Sequence, residues 1–296
     1  MTTPPARADM PQLMQLLVQV RAHAREAAAR ILAVYQGQND PAVSLKADRS
    51  PLTEADRQAH DYLVQALPRL ASGWPVLSEE SAPVSFAERQ RWTRYWLVDP
   101  LDGTREFIER NGEFTVNIAL IEDHRPILGV VHVPVTGVSY CGVVGLPGQQ
   151  SHACRIVGED SQSIKVKALV PGQPELRVVA SRHHRSEALL TCIENLRRGF
   201  PNLTEVSMGS ALKICLVAEG LADIYPRLGP TSEWDTAAAH AVLTAAGGAL
   251  VDDRFQELRY NTGPRLLNPS FFAFGDRQLP WQALCGLEDP GRPVAV

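Results

Sequence analysis

Apolar residues recur at steps of three and four between residues 9 and 36. Leu13, Leu17, Val20, Ala24, Ala28 and Ile31 fall on one stripe, and Asp9 stands where an N-cap belongs. The spacing predicts one long amphipathic helix. The polar stretch that follows, GQNDPAVSLKADRS, reads as a mobile loop. At Thr53 the string T-E-A-D has the form of a capping sequence with acids in its first turn, and predicts a second helix. The pattern then shortens. Trp74 to Leu77 is an apolar run that ends in Ser78, Glu79 and Glu80, and Tyr95 to Val98 is another that ends in Asp99 and Asp102. FTVNIALI, ILGVVHV and GVSYCGVV, separated by the turn strings EDHRP and PVTG, predict an antiparallel meander.

Residues 144–174 are rich in Gly, Gln, Ser and Pro with little periodicity, and suggest a boundary between an N-terminal α+β half, 1–165, and a C-terminal α/β half, 166–296. Beyond it the rhythm changes. LRVVAS, ADIYP and ALVDD read as strands, while SEALLTCIENL, SALKICLVAEGLA and WDTAAAHAVLTAAGG read as helices. Such alternation implies helices layered on a sheet. There is no internal repeat.

Composition narrows the function. The chain has 296 residues, 45% hydrophobic and 21% charged, as in water-soluble globular proteins. Its net charge of −4 gives no field that favours nucleic acid or an anionic membrane. No apolar run reaches the roughly 18 residues of a membrane span, and the N-terminal MTTPPARADM has no apolar signal core, so a cytoplasmic protein is expected. The five cysteines (141, 154, 192, 215 and 285) are scattered with no C-x-x-C pair, which predicts buried thiols rather than zinc or a disulfide framework.

Chemistry concentrates in YWLVDPLDGTREF, residues 95–107. A rigid strand ending in Asp99 and Asp102 can aim carboxylates and backbone carbonyls at one hard cation. Gly103 and Thr104 then open a helix whose free N–H groups suit a phosphate oxygen. Asp56, Glu79, Glu80 and Asp235 also stand at element ends. Taken singly, an acid in a first turn is more often a cap, and a Glu-Glu pair more often a solvated surface. If all of them converge, they repel unless cations lie between them. Oxygen donors without His or Cys favour Mg²⁺. The chain has no P-loop, dinucleotide-binding or G-x-S-x-G string.

The strings D-P-L-D-G-T at 99–104 and WDTAAAHAVLTAAGG at 234–248 resemble the two signatures of the inositol monophosphatase superfamily. SPLTEAD, PVLSEES, PILGVVHVPV, LKICLVAEGLADIYPRLGPTSEWDTAAAHAV and LNPSF are most similar to its bacterial 3′(2′),5′-bisphosphate nucleotidases, from about residue 40 to 275. The resemblance implies a layered α-β-α-β-α sandwich of the sugar-phosphatase type. It implies that Glu79, Asp99 and the Leu101 carbonyl hold one Mg²⁺, that Asp99, Asp102 and Asp235 hold a second, and that Glu80 helps place a third through water. Asp56 and Thr104 become the dyad that orients and deprotonates water. Gly103, Thr104 and Asp235 also touch substrate.

The same resemblance places selectivity in the second half. Ser210 and Lys213 share a face at a helix start suited to a phosphate that is held but not cleaved, Arg227 adds a bidentate grip, and His184 contacts the nucleotide. The family usually has Lys where this chain has Arg105, and nothing matches before residue 10 or after 276, where loosely ordered tails are expected. The implied activity is lithium-sensitive removal of the 3′-phosphate from adenosine 3′,5′-bisphosphate, with 3′-phosphoadenylyl sulfate as a further substrate and recycling of a sulfate-assimilation by-product as the role. Peripheral contact with the inner membrane stays open. The rivals are an inositol or sugar phosphatase of the same superfamily, and a non-catalytic nucleotide sensor.

Overall fold

The computed structural model describes residues 9–37, 43–45, 51–71, 73–169, 172, 174–180 and 186–287. The first helix, α1 (Met10–Tyr35), starts at the expected Asp9, whose carboxylate accepts the Gln12 N–H at 2.9 Å. Within the stretch read as a loop, β1 (Val43–Leu45) pairs antiparallel with β2 (Pro51–Thr53), so a short ribbon stands where no strand was expected. The second helix, α2 (Glu54–Ala66), is capped by Thr53 as the T-E-A-D string predicts. There follow β3 (Val76–Ser78), α3 (Phe86–Arg89), β4 (Arg94–Asp102), α4 (Thr104–Ile108), β5 (Thr115–Glu122), β6 (Arg125–His132) and β7 (Val138–Val143). The meander then goes further than its pattern suggests, through β8 (His152–Val157) and β9 (Asp160–Ser163). Within residues 144–174, these two strands therefore belong to the first sheet and end before residue 165. These strands lie at the sheet's far edge, where half-exposed polar residues blur the alternation.

The remaining elements are β10 (Glu175–Ala180), α5 (Glu187–Gly199), β11 (Asn202–Ser207), α6 (Leu212–Ala218), β12 (Ile224–Arg227), α7 (Glu233–Ala245), β13 (Ala249–Asp252), β14 (Phe271–Phe274) and α8 (Trp281–Leu284). Two sheets result. One has seven strands in sequence order β3 to β9, and the other has the order β11-β10-β12-β14-β13. The edge strand β11 and the short β14 have too little pattern to be read from sequence.

Alternation within the first sheet separates two cores. In β4, Trp96 and Val98 face α1 and α2, while Tyr95 and Leu97 face α6, α7 and the second sheet. A third core joins the far face of the second sheet to α5 and α8. The layers are thus α-β-α-β-α. The helix α7 lies close on the first sheet because a Cβ at Gly129 would stand 2.1 Å from the Ala238 carbonyl oxygen, and one at Gly142 would stand 2.6 Å from the Val242 Cα. The chain after 276 is not a loose tail through its described part. Trp281 is fully buried in the third core, and its indole N–H donates to the Asp276 carbonyl at 2.6 Å. Among the described residues, no helix is long and apolar enough to cross a membrane.

Candidate active site

The ends of β3, β4 and β12 and the starts of α2, α4 and α7 meet at one cleft between the sheets. Its chemistry begins with an irregularity in β4. Asp99 pairs with Asn117 of β5, and Asp102 pairs with Thr115, so two residues on one strand, Pro100 and Leu101, stand against one on the other, Val116. Side chains three apart on a regular strand point to opposite faces. The extra residue of this bulge brings both carboxylates to the face that carries Asn117 and Thr115. Asp102 there accepts the Asn117 side-chain amide at 3.1 Å, the Thr115 hydroxyl at 3.5 Å and the Ala211 N–H at 2.6 Å. Asp99 is buried and accepts the Leu101 N–H at 3.0 Å, which turns the chain into Gly103. Gly103 adopts φ 92°, a left-handed value that L side chains rarely take, and it caps α4.

Asp56 is buried at the third position of α2 and accepts the Thr53 N–H at 2.8 Å in a capping box. Its other oxygen faces Thr104, whose hydroxyl donates to it at 3.4 Å. Glu79 follows β3, with its N–H donated to the Val98 carbonyl at 3.1 Å, and Glu80 lies next to it. Asp235 repeats the capping arrangement at the start of α7, accepting the Ser232 N–H at 2.8 Å.

A cavity of about 170 Å³ opens here, lined by an acidic group that includes Asp102, Gly103, Glu106 and Asp235, with Arg105 beside them, and by a basic group that includes Ser210, Lys213, Tyr225 and Arg227. Burial pushes the Asp235 carboxyl well above its ordinary range, with repulsion from Asp102 as the next cause and Glu79 adding to it. Burial likewise raises Asp102 against the pull of Lys213, and lowers Lys213 against the pull of Asp102 and Glu106. Desolvation thus outweighs pairing for all three groups. Among the described residues, no three His, Cys, Asp or Glu side chains gather closely enough to enclose a metal ion. The donor set still fits a hard cation: all its donors are oxygens, and its buried acids raise one another's affinity for positive charge.

Ser210 and Arg227 are set apart by their chemistry. The Ser210 hydroxyl and the Arg227 Nε are buried without a hydrogen-bond partner among the described residues. Ser210 lies outside α6, at φ 45°, and the helix runs for only seven residues. The helix start expected to take a phosphate is engaged elsewhere, since the Ala211 N–H already serves Asp102. Lys213 donates to the Met208 carbonyl at 3.4 Å, and Arg227 to the Pro230 carbonyl at 3.0 Å. His184 lies outside the described residues. Sequence reasoning missed Thr53, Thr115 and Asn117 as supports, and Glu106 and Tyr225 as wall residues. Thr53 was within reach as the first letter of the capping box, and the β5 pair only through the register of the meander.

Residues 13–272 match the inositol monophosphatase family. The chain is 46% identical over 256 residues to the 3′(2′),5′-bisphosphate nucleotidase CysQ of Salmonella typhimurium, covering 86% of this chain and 98% of that protein. The crystal structure of CysQ from Bacteroides thetaiotaomicron superposes with a TM-score of 0.75 at 39% identity, covering 90% of this chain and 98% of that one. An IMPase from Thermotoga maritima shares the fold at a TM-score of 0.70 and 20% identity, covering 93% of this chain and 96% of its own.

Proposed function

Since this chain belongs to the inositol monophosphatase family and is a phosphatase, we propose that it is a magnesium-dependent 3′(2′),5′-bisphosphate nucleotidase that converts adenosine 3′,5′-bisphosphate to AMP and phosphate. One observation carries the choice of substrate. Besides its acids, the cavity lining carries two cationic side chains, Lys213 and Arg227, together with the Ser210 hydroxyl, which has no partner among the described residues. A substrate with one phosphate leaves that basic group unused, and one with two phosphates fills both groups. The similarity to the 3′(2′),5′-bisphosphate nucleotidase CysQ of Salmonella typhimurium supports the same reading.

Metal dependence is general in this family. Glu79, Asp99, the Leu101 carbonyl, Asp102 and Asp235 would hold two Mg²⁺ ions, and Glu80 a third through water. Mg²⁺ bound there supplies an acidified water and positive charge for the phosphoryl oxygens. The protein supplies direction. Asp56 accepts the Thr53 N–H on one oxygen and the Thr104 hydroxyl on the other. With its proton committed to Asp56, the Thr104 oxygen can accept one from water and align it for in-line attack. Gly103 leaves room for the scissile phosphate. Ser210, Lys213 and Arg227 hold the 5′-phosphate, and His184 contacts the nucleotide. On the same reading 3′-phosphoadenylyl sulfate is a second substrate, and the role is recycling of a by-product of sulfate assimilation.

Phosphate release in Mg²⁺, with adenosine 3′,5′-bisphosphate, inositol 1-phosphate and fructose 1,6-bisphosphate compared with and without Li⁺, tests the assignment. Lithium-sensitive turnover that strongly favours the nucleotide, and that EDTA abolishes, is the expected result. A preference for inositol or sugar phosphate overturns the substrate reading and spares the phosphatase.

A further inference from the structure

Glu113 occupies the seam between the two walls of the cavity and belongs to neither. It follows α4 and precedes β5, with its own N–H donated to the Asn111 side chain at 2.9 Å. Its carboxylate accepts the N–H of Gly209 at 2.7 Å, across the boundary between the sheets. Its backbone is pressed between two glycines. A Cβ at Gly103 would stand 3.4 Å from the Glu113 carbonyl oxygen, and one at Gly209 only 2.8 Å from the same atom. Contact at the second distance forces a shift, so the loop 208–211 sits as close as it does only because residue 209 has no side chain.

That loop is pinned on both sides of its apex. Gly209 is tied to Glu113, Ala211 to Asp102, and the Met208 carbonyl to Lys213. Between the pins Ser210 is held at φ 45°, a left-handed conformation that is strained for a residue with a side chain. Its hydroxyl is buried, has no partner among the described residues, and belongs to a residue of the cavity wall. A strained residue with an unsatisfied hydroxyl persists only where its surroundings over-determine it. The Glu113 carboxylate is the pin that does not also serve as a site group.

We propose that Glu113 is a positioning residue for substrate selectivity: by gripping Gly209 it holds Ser210 in the conformation that receives the phosphate that is kept, while the chemistry at Asp99 and Thr104 proceeds without it. The inference rests on the assignment of Ser210, Lys213 and Arg227 to a second phosphate. Glu113 is not among the residues that line the cavity.

The test compares adenosine 3′,5′-bisphosphate with adenosine 3′-monophosphate for wild type, Glu113→Ala, Glu113→Gln and Gly209→Ala in Mg²⁺. Glu113→Ala is expected to raise KM for the bisphosphate on the order of 10- to 100-fold, the scale of a lost hydrogen bond to a charged group. Its kcat, and both constants for the monophosphate, stay within about threefold. Glu113→Gln, whose amide oxygen can still accept from Gly209, keeps wild-type selectivity. Gly209→Ala, which forces the loop off Glu113, reproduces the loss and serves if Glu113→Ala does not fold. Wild-type selectivity retained in Glu113→Ala or Gly209→Ala overturns the inference alone. So does an equal fall for both substrates, or a Glu113→Gln that fails like the alanine variant. A wild-type enzyme that treats the two nucleotides alike removes the second-phosphate reading, and this inference with it.

Discussion

The two walls of the cavity are built on opposite plans. On the acidic side three carboxylates are tied to backbone close by: Asp56 to Thr53, Asp99 to Leu101, Asp235 to Ser232. These groups are aimed before any ligand arrives, as chemistry that depends on direction requires. On the basic side the groups come from a pinned loop, a short helix and a strand end, and two of their buried polar atoms have no partner among the described residues. An unsatisfied buried donor costs about 1–3 kcal/mol, and a site can bear that cost where the ligand returns it. One wall is arranged for reaction and the other for recognition. They can therefore be damaged separately.

Asp99→Asn should have the largest effect. It keeps shape and burial but removes the charge that the resemblance assigns to both of the first two Mg²⁺ ions. A fall in kcat on the order of 10³-fold, about 4 kcal/mol of barrier, is expected for the bisphosphate and the monophosphate alike. Melting without Mg²⁺ should not fall, because one source of repulsion at the strand end is gone. Phosphate release and thermal unfolding check both parts, and a loss of less than tenfold breaks the contrast from the acidic side.

Lys213→Ala should do less, and do it selectively. Removing a cation from a partly desolvated phosphate contact is expected to lower kcat/KM for adenosine 3′,5′-bisphosphate about 10- to 100-fold and to leave adenosine 3′-monophosphate within about threefold. Lys213 is also near Asp102, which counteracts burial of the lysine. A comparable loss on both substrates would mean that the lysine acts through that acid, and that the walls are not separable at this point.

The same difference in plan decides what could be read from the sequence. The acidic wall is written in contiguous strings, D-P-L-D-G-T, T-E-A-D and S-E-W-D, because a strand end and two capping boxes are local structures whose spacing is set by backbone geometry. The meander was legible for a similar reason: short turns keep neighbouring strands adjacent. What stayed hidden depends on distant pairing. The β4 bulge is defined by register against Asn117 and Thr115. The start of α6 is displaced to Leu212 because Ser210 is held left-handed by partners about 100 positions away. Trp281 reads as a tail residue until the third core closes over it. In each of these places the local pattern is overruled by contacts that sequence spacing does not encode.

The smallest effect on turnover should come from a change that strikes both walls alike, and it controls for every pH profile taken on this enzyme. His132 and His240 are buried and are not among the residues that line the cavity, and both have pKa values lowered to about 4. Burial is the main cause for each. Arg21 and Arg25 lower His132 further, and Glu257 opposes the shift at His240. His132 shares a hydrogen bond with the Ser139 hydroxyl at 2.9 Å, and His240 one with the Tyr260 hydroxyl at 3.0 Å. An unfolded histidine takes up its proton near pH 6.5, and these two resist until about pH 4. Through that interval the unfolded state binds more protons, so stability is full above pH 6.5 and is lost as pH falls towards 4. The loss is on the order of 3 kcal/mol per histidine. His240→Gln should keep turnover at pH 7.5 within about twofold, and denaturant unfolding at a series of pH values should show a shallower acid slope than wild type. An unchanged slope in the His132→Gln, His240→Gln double variant would place the acid sensitivity elsewhere, and acid loss of activity would then have to be sought among the carboxylates of the cleft.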